Sequence, residues 1–152
     1  MQLTANFLLT HFTASETAER SAIDNSPPPD VLANLARLAA GLEEVQALLG
    51  APINISSGYR CPGLNRAVGG SATSQHVLGM AADFTCEAFG TPIAIAAAIQ
   101  ASDIAFDQCI LEFNRWVHIS FSPNPRGRVL SIYDSREGYL EGLRGTDGNL
   151  IA

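Results

Sequence analysis

The chain has 152 residues, enough for one hydrophobic core, and 47% of them are hydrophobic. Fifteen acids against nine bases, every base an arginine, leave a net charge of −6, which excludes a basic nucleic-acid footprint and attraction to anionic membranes. No apolar run approaches the ~18–20 residues of a membrane span, and three histidines are too few for a histidine-rich metal site.

The N-terminal stretch from Met1 to Phe12 lacks a positive n-region, and His11 interrupts its apolar run. It does not read as a secretory signal, so synthesis in the cytoplasm is expected. His11 is assigned no role. Thr13-Ala-Ser-Glu16 predicts a capping box opening a short helix. Asn25-Ser-Pro-Pro-Pro-Asp30 then opens a long helix, with Leu35, Leu38, Leu42, Val45 and Leu49 at helical spacing and Gly50 as its stop.

Beyond Pro52 the texture becomes strand-like. Ile53–Ser57 alternates as a strand and leaves it in a turn at Gly58-Tyr-Arg60. Cys61 to Gly70 reads as a loop or short helix, Ala81–Phe84 as a short strand, and Thr91-Pro92 as the start of a helix reaching about Ala101. Gln108–Phe113 and Trp116–Phe121 form a β-hairpin pattern, and Arg128–Tyr133 reads as a last strand. The polar, glycine-rich tail from Ser135 is expected to be poorly ordered unless it docks. Helices first and strands later predict one α+β domain, a central antiparallel sheet with helices on one face. Its parts would be a helical region 1–50, a core 51–133 and a tail 134–152. Cys61, Cys86 and Cys109 have no metal-type spacing and read as buried or half-buried thiols. Cys61, beside Arg60, would need a histidine base to act as a nucleophile.

The chemistry concentrates in Ser74-Gln-His76-Val-Leu-Gly79-Met-Ala-Ala-Asp83. His76 and Asp83 are seven residues apart and converge only if the chain turns at Gly79 and Asp83 sits on the following strand. A hydrolytic zinc site needs three N or O ligands and one open position for water. His76 and Asp83 supply two ligands, and His118 is the third candidate. Placing Cys109, Leu111 and Phe113 on one buried face with Val117, Ile119 and Phe121 requires an odd-numbered hairpin loop. Phe113 would then face Val117, and Glu112 would lie opposite His118 on the other face, beside Trp116. The zinc site therefore belongs on the sheet face away from the helices. Glu112 is the candidate general base, and Asp107 is the alternative acid.

Ser-x-His-x-x-Gly-x-Ala-x-Asp from Ser74 to Asp83, with Ser56-Ser-Gly-Tyr-Arg60 before it and Trp116-Val-His118 after it, resembles the zinc D-Ala-D-Ala carboxypeptidase family. That family includes VanX-like dipeptidases and phage L-alanyl-D-glutamate endopeptidases, and shares its fold with the hedgehog signalling domain. The resemblance covers about residues 5 to 133. It implies a zinc cofactor held by His76, Asp83 and His118. It further implies that Arg60 binds a substrate carboxylate or the carbonyl, a role suited to its fork of donors. Ser74 matches the motif serine and Trp116 stands with it as a substrate contact. Where many members carry the catalytic acid, three residues before the last histidine, this chain has Arg115, which leaves Glu112 as the base.

The expected function is a monomeric zinc metallopeptidase cutting peptidoglycan stem or cross-link peptides next to D-amino acids, as a DD-carboxypeptidase or DD-endopeptidase. Alternatives are an L-alanyl-D-glutamate endopeptidase of the lysin type and a non-catalytic zinc-containing phage-tail or wall-binding module. Action on the cell wall without a signal peptide implies release by a phage, or carriage in the virion.

Overall fold

The computed structural model describes residues 1–151; Ala152, the last residue of the expected tail, lies outside them. Two short helices, α1 (Leu9–Thr13) and α2 (Glu16–Arg20), precede the long α3 (Pro29–Leu49). The expected Thr13 capping box does not form. Thr13 ends α1, and Ser15 caps α2, its hydroxyl accepting from the Ala18 amide at 3.1 Å. The turn between the two helices is thus two residues later than the Thr-x-x-Glu spacing implied. The second start signal holds. Pro29 opens α3, where a missing amide hydrogen costs nothing, and Gly50 closes it at φ 67°.

The strands follow as β1 (Asn54–Ser57), β2 (Ala81–Thr85), β3 (Gln108–Glu112), β4 (Trp116–Ser120), β5 (Arg128–Ile132) and β6 (Leu140–Glu141). Helix α4 (Pro62–Ala67) lies between the first two, and α5 (Pro92–Gln100) between the second and third. The six strands make one sheet in the order β1-β2-β4-β3-β5-β6. The α+β architecture is as expected, but the sheet is mixed rather than wholly antiparallel. β2 already occupies the outer side of β4, so the chain reverses after β4, crosses to the free side of β3 and lies parallel to it as β5.

One sheet face is apolar. Ala82, Phe84, Cys109, Leu111, Val117 and Ile119 pack against Leu35, Leu38 and Leu42 of α3 and Ile95 and Ile99 of α5, all of them buried. Each such aliphatic side chain removed from water contributes about 1.5–3 kcal/mol, so this layer dominates the stability. The strand period of two then sends Asp83, Glu112 and His118, which alternate with these residues, to the opposite face.

The hairpin departs from its expected register by one step of the pleat. Glu112 pairs with Trp116, Leu111 with Val117 and Ile110 with His118. The loop has an odd number of residues, as the hydrophobic pattern required, but Phe113 belongs to it instead of facing Val117. Phe113 and Asn114 have φ of 57° and 53°, and the Arg115 amide closes the turn on the Glu112 carbonyl at 3.0 Å. Both central residues of this turn thus have positive φ, which an asparagine tolerates and a phenylalanine accepts only when held. The Phe113 ring is held by packing on Trp116, with ring centroids 5.6 Å apart.

The tail docks. β6 pairs with β5, Leu143 is buried, and the Ser131 and Tyr133 hydroxyls donate to the carbonyls of Gly142 and Arg144. Among the described residues no helix is long and apolar enough to cross a membrane.

Gly79 lets the chain turn between His76 and Asp83. Its φ is +72°, and a Cβ there would stand 2.6 Å from Val31 Cγ1 on α3. Gly79→Ala combines a left-handed alanine with overpacking and is expected to cost about 2–4 kcal/mol, read as a lowered urea midpoint at unchanged m. Wild-type stability in this variant would show that α3 does not restrain the turn.

Candidate metal centre

Three ligand-type atoms meet on the polar face of the sheet. Asp83 reaches it from β2 and His118 from the neighbouring β4, directly paired in the ladder. His76 comes from the turn before β2. The ligand atoms of the three lie within 4.8 Å of one another. Asp83 Oδ1 stands 3.3 Å from His76 Nε2 and 3.0 Å from His118 Nδ1. All three residues are buried.

The other nitrogen of His76 fixes its tautomer. His76 Nδ1 lies 2.7 Å from the Gly58 carbonyl oxygen, which only accepts, so Nδ1 carries the proton. In the neutral ring the Nε2 lone pair then points at a carboxylate oxygen. Two acceptors 3.3 Å apart repel unless a cation lies between them or the ring takes a second proton. The spacing suits a cation. Donor atoms tetrahedrally arranged at zinc's usual ~2.0–2.1 Å lie roughly 3.3 Å from one another. Two imidazoles and one carboxylate are also a donor set suited to zinc. The residues fit the metal, and the carbonyl behind His76 is the orienting partner that metal-binding histidines use.

Charge complementarity tightens the cluster. Burial alone would raise the pKa of Asp83, but hydrogen bonding to His118 and His76 outweighs it and holds the carboxyl well below the usual carboxylate range. Burial likewise pushes His118 down, yet its hydrogen bond to Asp83 and the neighbouring negative charges leave it above the ordinary histidine value. Glu112 is pushed up, first by burial, against the opposing pull of His118.

Glu112 lies on the same face, its Oε2 4.0 Å from His118 Nδ1. The Trp116 indole N–H donates to Glu112 Oε1 at 2.8 Å, leaving Oε2 toward the histidine. Trp116, expected as a substrate contact, therefore also aims the acid. Arg115 is exposed in the hairpin loop. Ser74 Oγ accepts from the His76 amide at 3.2 Å, bracing the loop at its histidine. The Arg60 amide donates to the His76 carbonyl, and half-burial pushes the Arg60 guanidinium below its usual range against the pull of Asp83 and Glu112. His76, Asp83, His118, Glu112, Arg60, Ser74 and Trp116 all line one cleft of about 650 Å³.

Asp107 is not in this cluster. Arg126 grips it with two donors, at 2.9 and 2.7 Å, and Gln75 donates to it at 2.8 Å. Asp107 thereby ties the start of β3 to the residue preceding His76. The cysteines take no part. Cys86 and Cys109 are buried, burial pushes the Cys109 thiol up to about 12, and Cys61 caps α4 through its sulfur. His11 accepts from the Leu8 amide at 2.9 Å in the N-terminal segment.

Several supports were invisible to motif reasoning. Asn25 donates to the Thr13 and Tyr59 carbonyls and accepts from the Cys61 amide, strapping down the segment that carries Gly58 and Arg60. Gln75 sits inside the motif, and its neighbour His76 was the one available signal that it could brace a ligand. Tyr139 lines the cleft from the docked tail. Nothing local in the sequence announces that position.

A family model described as Peptidase M15 matches residues 5–120. No curated protein sequence matches the chain.

The Asp107 clamp predicts a pH dependence. Hydrogen bonding from Arg126 first, and then from Gln75, depresses its pKa to about 2 against the ordinary ~3.9. The stability it contributes is present above about pH 4 and is lost as pH falls through about 2. Asp107→Asn should therefore cost about 2 kcal/mol at pH 7, with the deficit shrinking as the pH approaches 2 in urea denaturation. A deficit constant from pH 7 to 2 would contradict the charge assignment.

Proposed function

The chain belongs to the peptidase M15 family, and from that membership we propose that it is a zinc peptidase hydrolysing peptidoglycan stem or cross-link peptides next to D-amino acids. The observation that carries the reading is the meeting of His76, Asp83 and His118 with a half-buried carboxylate, Glu112, 4.0 Å from one of them. Zinc, when bound, supplies a Lewis acid that lowers the pKa of water and polarises a carbonyl. His76, Asp83 and His118 would hold it, and Gly58 keeps His76 in the tautomer that presents Nε2.

Glu112 is the general base. Its Oε1 is occupied by the Trp116 indole, so Oε2 receives the proton of the attacking water and returns it to the leaving amine. Burial raises its proton affinity above that of an exposed glutamate, which favours that transfer. Arg60, cationic and without an ion-pair partner among the described residues, orients the scissile carbonyl or a nearby substrate carboxylate by bidentate donation. A peptidoglycan substrate makes the cell wall the site of action.

Glu112→Gln preserves shape and the Trp116 contact but removes the base. Hydrolysis of purified peptidoglycan should fall by about 10²–10⁴ while one zinc per chain is retained. Full activity in this variant would remove Glu112 from the mechanism. Removing zinc with a chelator should abolish hydrolysis in the unmodified protein, with recovery on adding zinc back. Activity that survives complete metal removal would contradict the zinc reading.

A further inference from the structure

Past Glu112 the polar face of the sheet continues over β3 and β5 to the docked tail, and the cleft continues with it. Ile110, Leu130 and Ile132 line it there, a small aliphatic cluster separate from the main core. Tyr139 lines its far end. No role assigned above uses that end of the cleft.

The ladder fixes where Tyr139 stands. β6 runs antiparallel to β5, with Leu140 opposite Ser131 and Glu141 opposite Leu130. One more step of the same register sets Tyr139, the residue before β6, opposite Ile132. Ile132 lies beside Glu112 in the parallel ladder, and Glu112 lies opposite Trp116. Tyr139, Ile132, Glu112 and Trp116 thus form one row across the sheet. Because side chains alternate along a strand, Tyr139 shares the face of Glu141 and Leu130, which is the face of the cleft. The backbone is tied on both sides of the tyrosine. The Gly138 amide donates to the Asp134 carbonyl at 3.0 Å, and the Gly142 amide donates to the Val129 carbonyl at 2.8 Å.

The fold makes little use of the side chain itself. Tyr139 is 58% exposed and belongs to neither hydrophobic cluster. The neighbouring Tyr133 hydroxyl is committed to the Arg144 carbonyl, whereas the Tyr139 hydroxyl has no hydrogen-bond partner among the described residues. Partial burial first, and then the negative charges of Glu112 and Asp83, push the Tyr139 phenol up, so it keeps its proton and can donate. Beside those carboxylates a neutral donor suits a neutral acceptor, such as a peptide carbonyl, better than a carboxylate of the substrate.

Reach decides which part of a substrate it can meet. Along the row, Glu112 lies two strand spacings from Tyr139 and His118 three, about 10 and 14 Å at ~4.8 Å each. Aromatic side chains bridge about 7–8 Å across a sheet. The hydroxyl therefore comes over Ile132 toward Glu112 and stops short of His118 and Asp83. We propose that Tyr139 is a substrate-binding residue, its hydroxyl donating to a carbonyl oxygen of the peptide segment that lies over Ile132, beyond Glu112 from the metal candidates. This rests on the peptidase reading above and adds to it a subsite built by the tail.

The test uses the zinc-loaded protein and soluble muropeptides released from purified peptidoglycan. Tyr139→Phe keeps the ring and removes the hydroxyl. It should raise KM about fivefold, the effect of losing one neutral hydrogen bond, with kcat, zinc content and melting temperature unchanged. Tyr139→Ala should raise KM further. An unaltered KM in Tyr139→Phe would overturn the inference, even if Tyr139→Ala raised it. A fall in kcat at unchanged KM would put the hydroxyl at the reacting carbonyl and overturn it as well. Calorimetric binding of the same muropeptides to zinc-loaded Glu112→Gln protein separates the two readings, because it needs no turnover. Adding Tyr139→Phe there should weaken binding about fivefold. Weakened binding with no hydrolysis by the unmodified protein would sink the peptidase reading and leave the subsite standing. Hydrolysis by the unmodified protein with binding unaffected by Tyr139→Phe would do the reverse.

Discussion

The hydrogen bond from His76 Nδ1 to the Gly58 carbonyl decides what the site can be. Because a carbonyl has no proton to give, the bond commits one ring nitrogen and turns the other, as a lone pair, toward Asp83. Much of the N-terminal structure serves to hold that carbonyl in place. The Tyr59 amide donates to the Phe12 carbonyl at 2.7 Å, and Asn25 pins both sides of Tyr59 and Cys61. Gly58 itself approaches α1 so closely that a Cβ would lie 2.6 Å from the Phe12 oxygen. The small helices thus support the candidate metal site, although no residue of theirs is a ligand candidate.

The sheet supplies the other half of the constraint. Burying Phe84, Leu111 and Val117 under α3 and α5 obliges Asp83, Glu112 and His118 to point the other way, since strand side chains alternate. The largest favourable term in folding therefore also assembles the polar cluster. Desolvating two acids and two imidazoles is costly in isolation, and it is tolerated here because their charges and hydrogen bonds are complementary. The same face continues beyond the cluster as an open cleft.

Local signals carried far in this sequence. Gly50, Pro29 and Thr91 marked helix ends through backbone chemistry that does not depend on tertiary context. The histidine and aspartate flanking Gly79 were legible because a positive-φ turn is what brings residues seven apart together. The parity of the hairpin followed from its buried face, but its register did not: a turn that holds Phe113 at positive φ depends on the ring packing on Trp116, and pattern alone cannot weigh that contact. The parallel placement of β5 was hidden for a similar reason, since it depends on which strand edge is free after β2 has docked. Whether the tail docks is not legible in its polar, glycine-rich composition, because the few apolar residues that anchor it, Leu140 and Leu143 among them, form no pattern of their own.

In the proposed chemistry one zinc ion would be held by His76 Nε2, Asp83 Oδ1 and His118 Nδ1. Anomalous diffraction at the zinc absorption edge, from crystals of zinc-loaded protein, measures that directly. A single strong peak bounded by those three atoms, absent from crystals of Asp83→Ala, is the predicted result. Zinc bound elsewhere, or no peak among the three, would contradict the account.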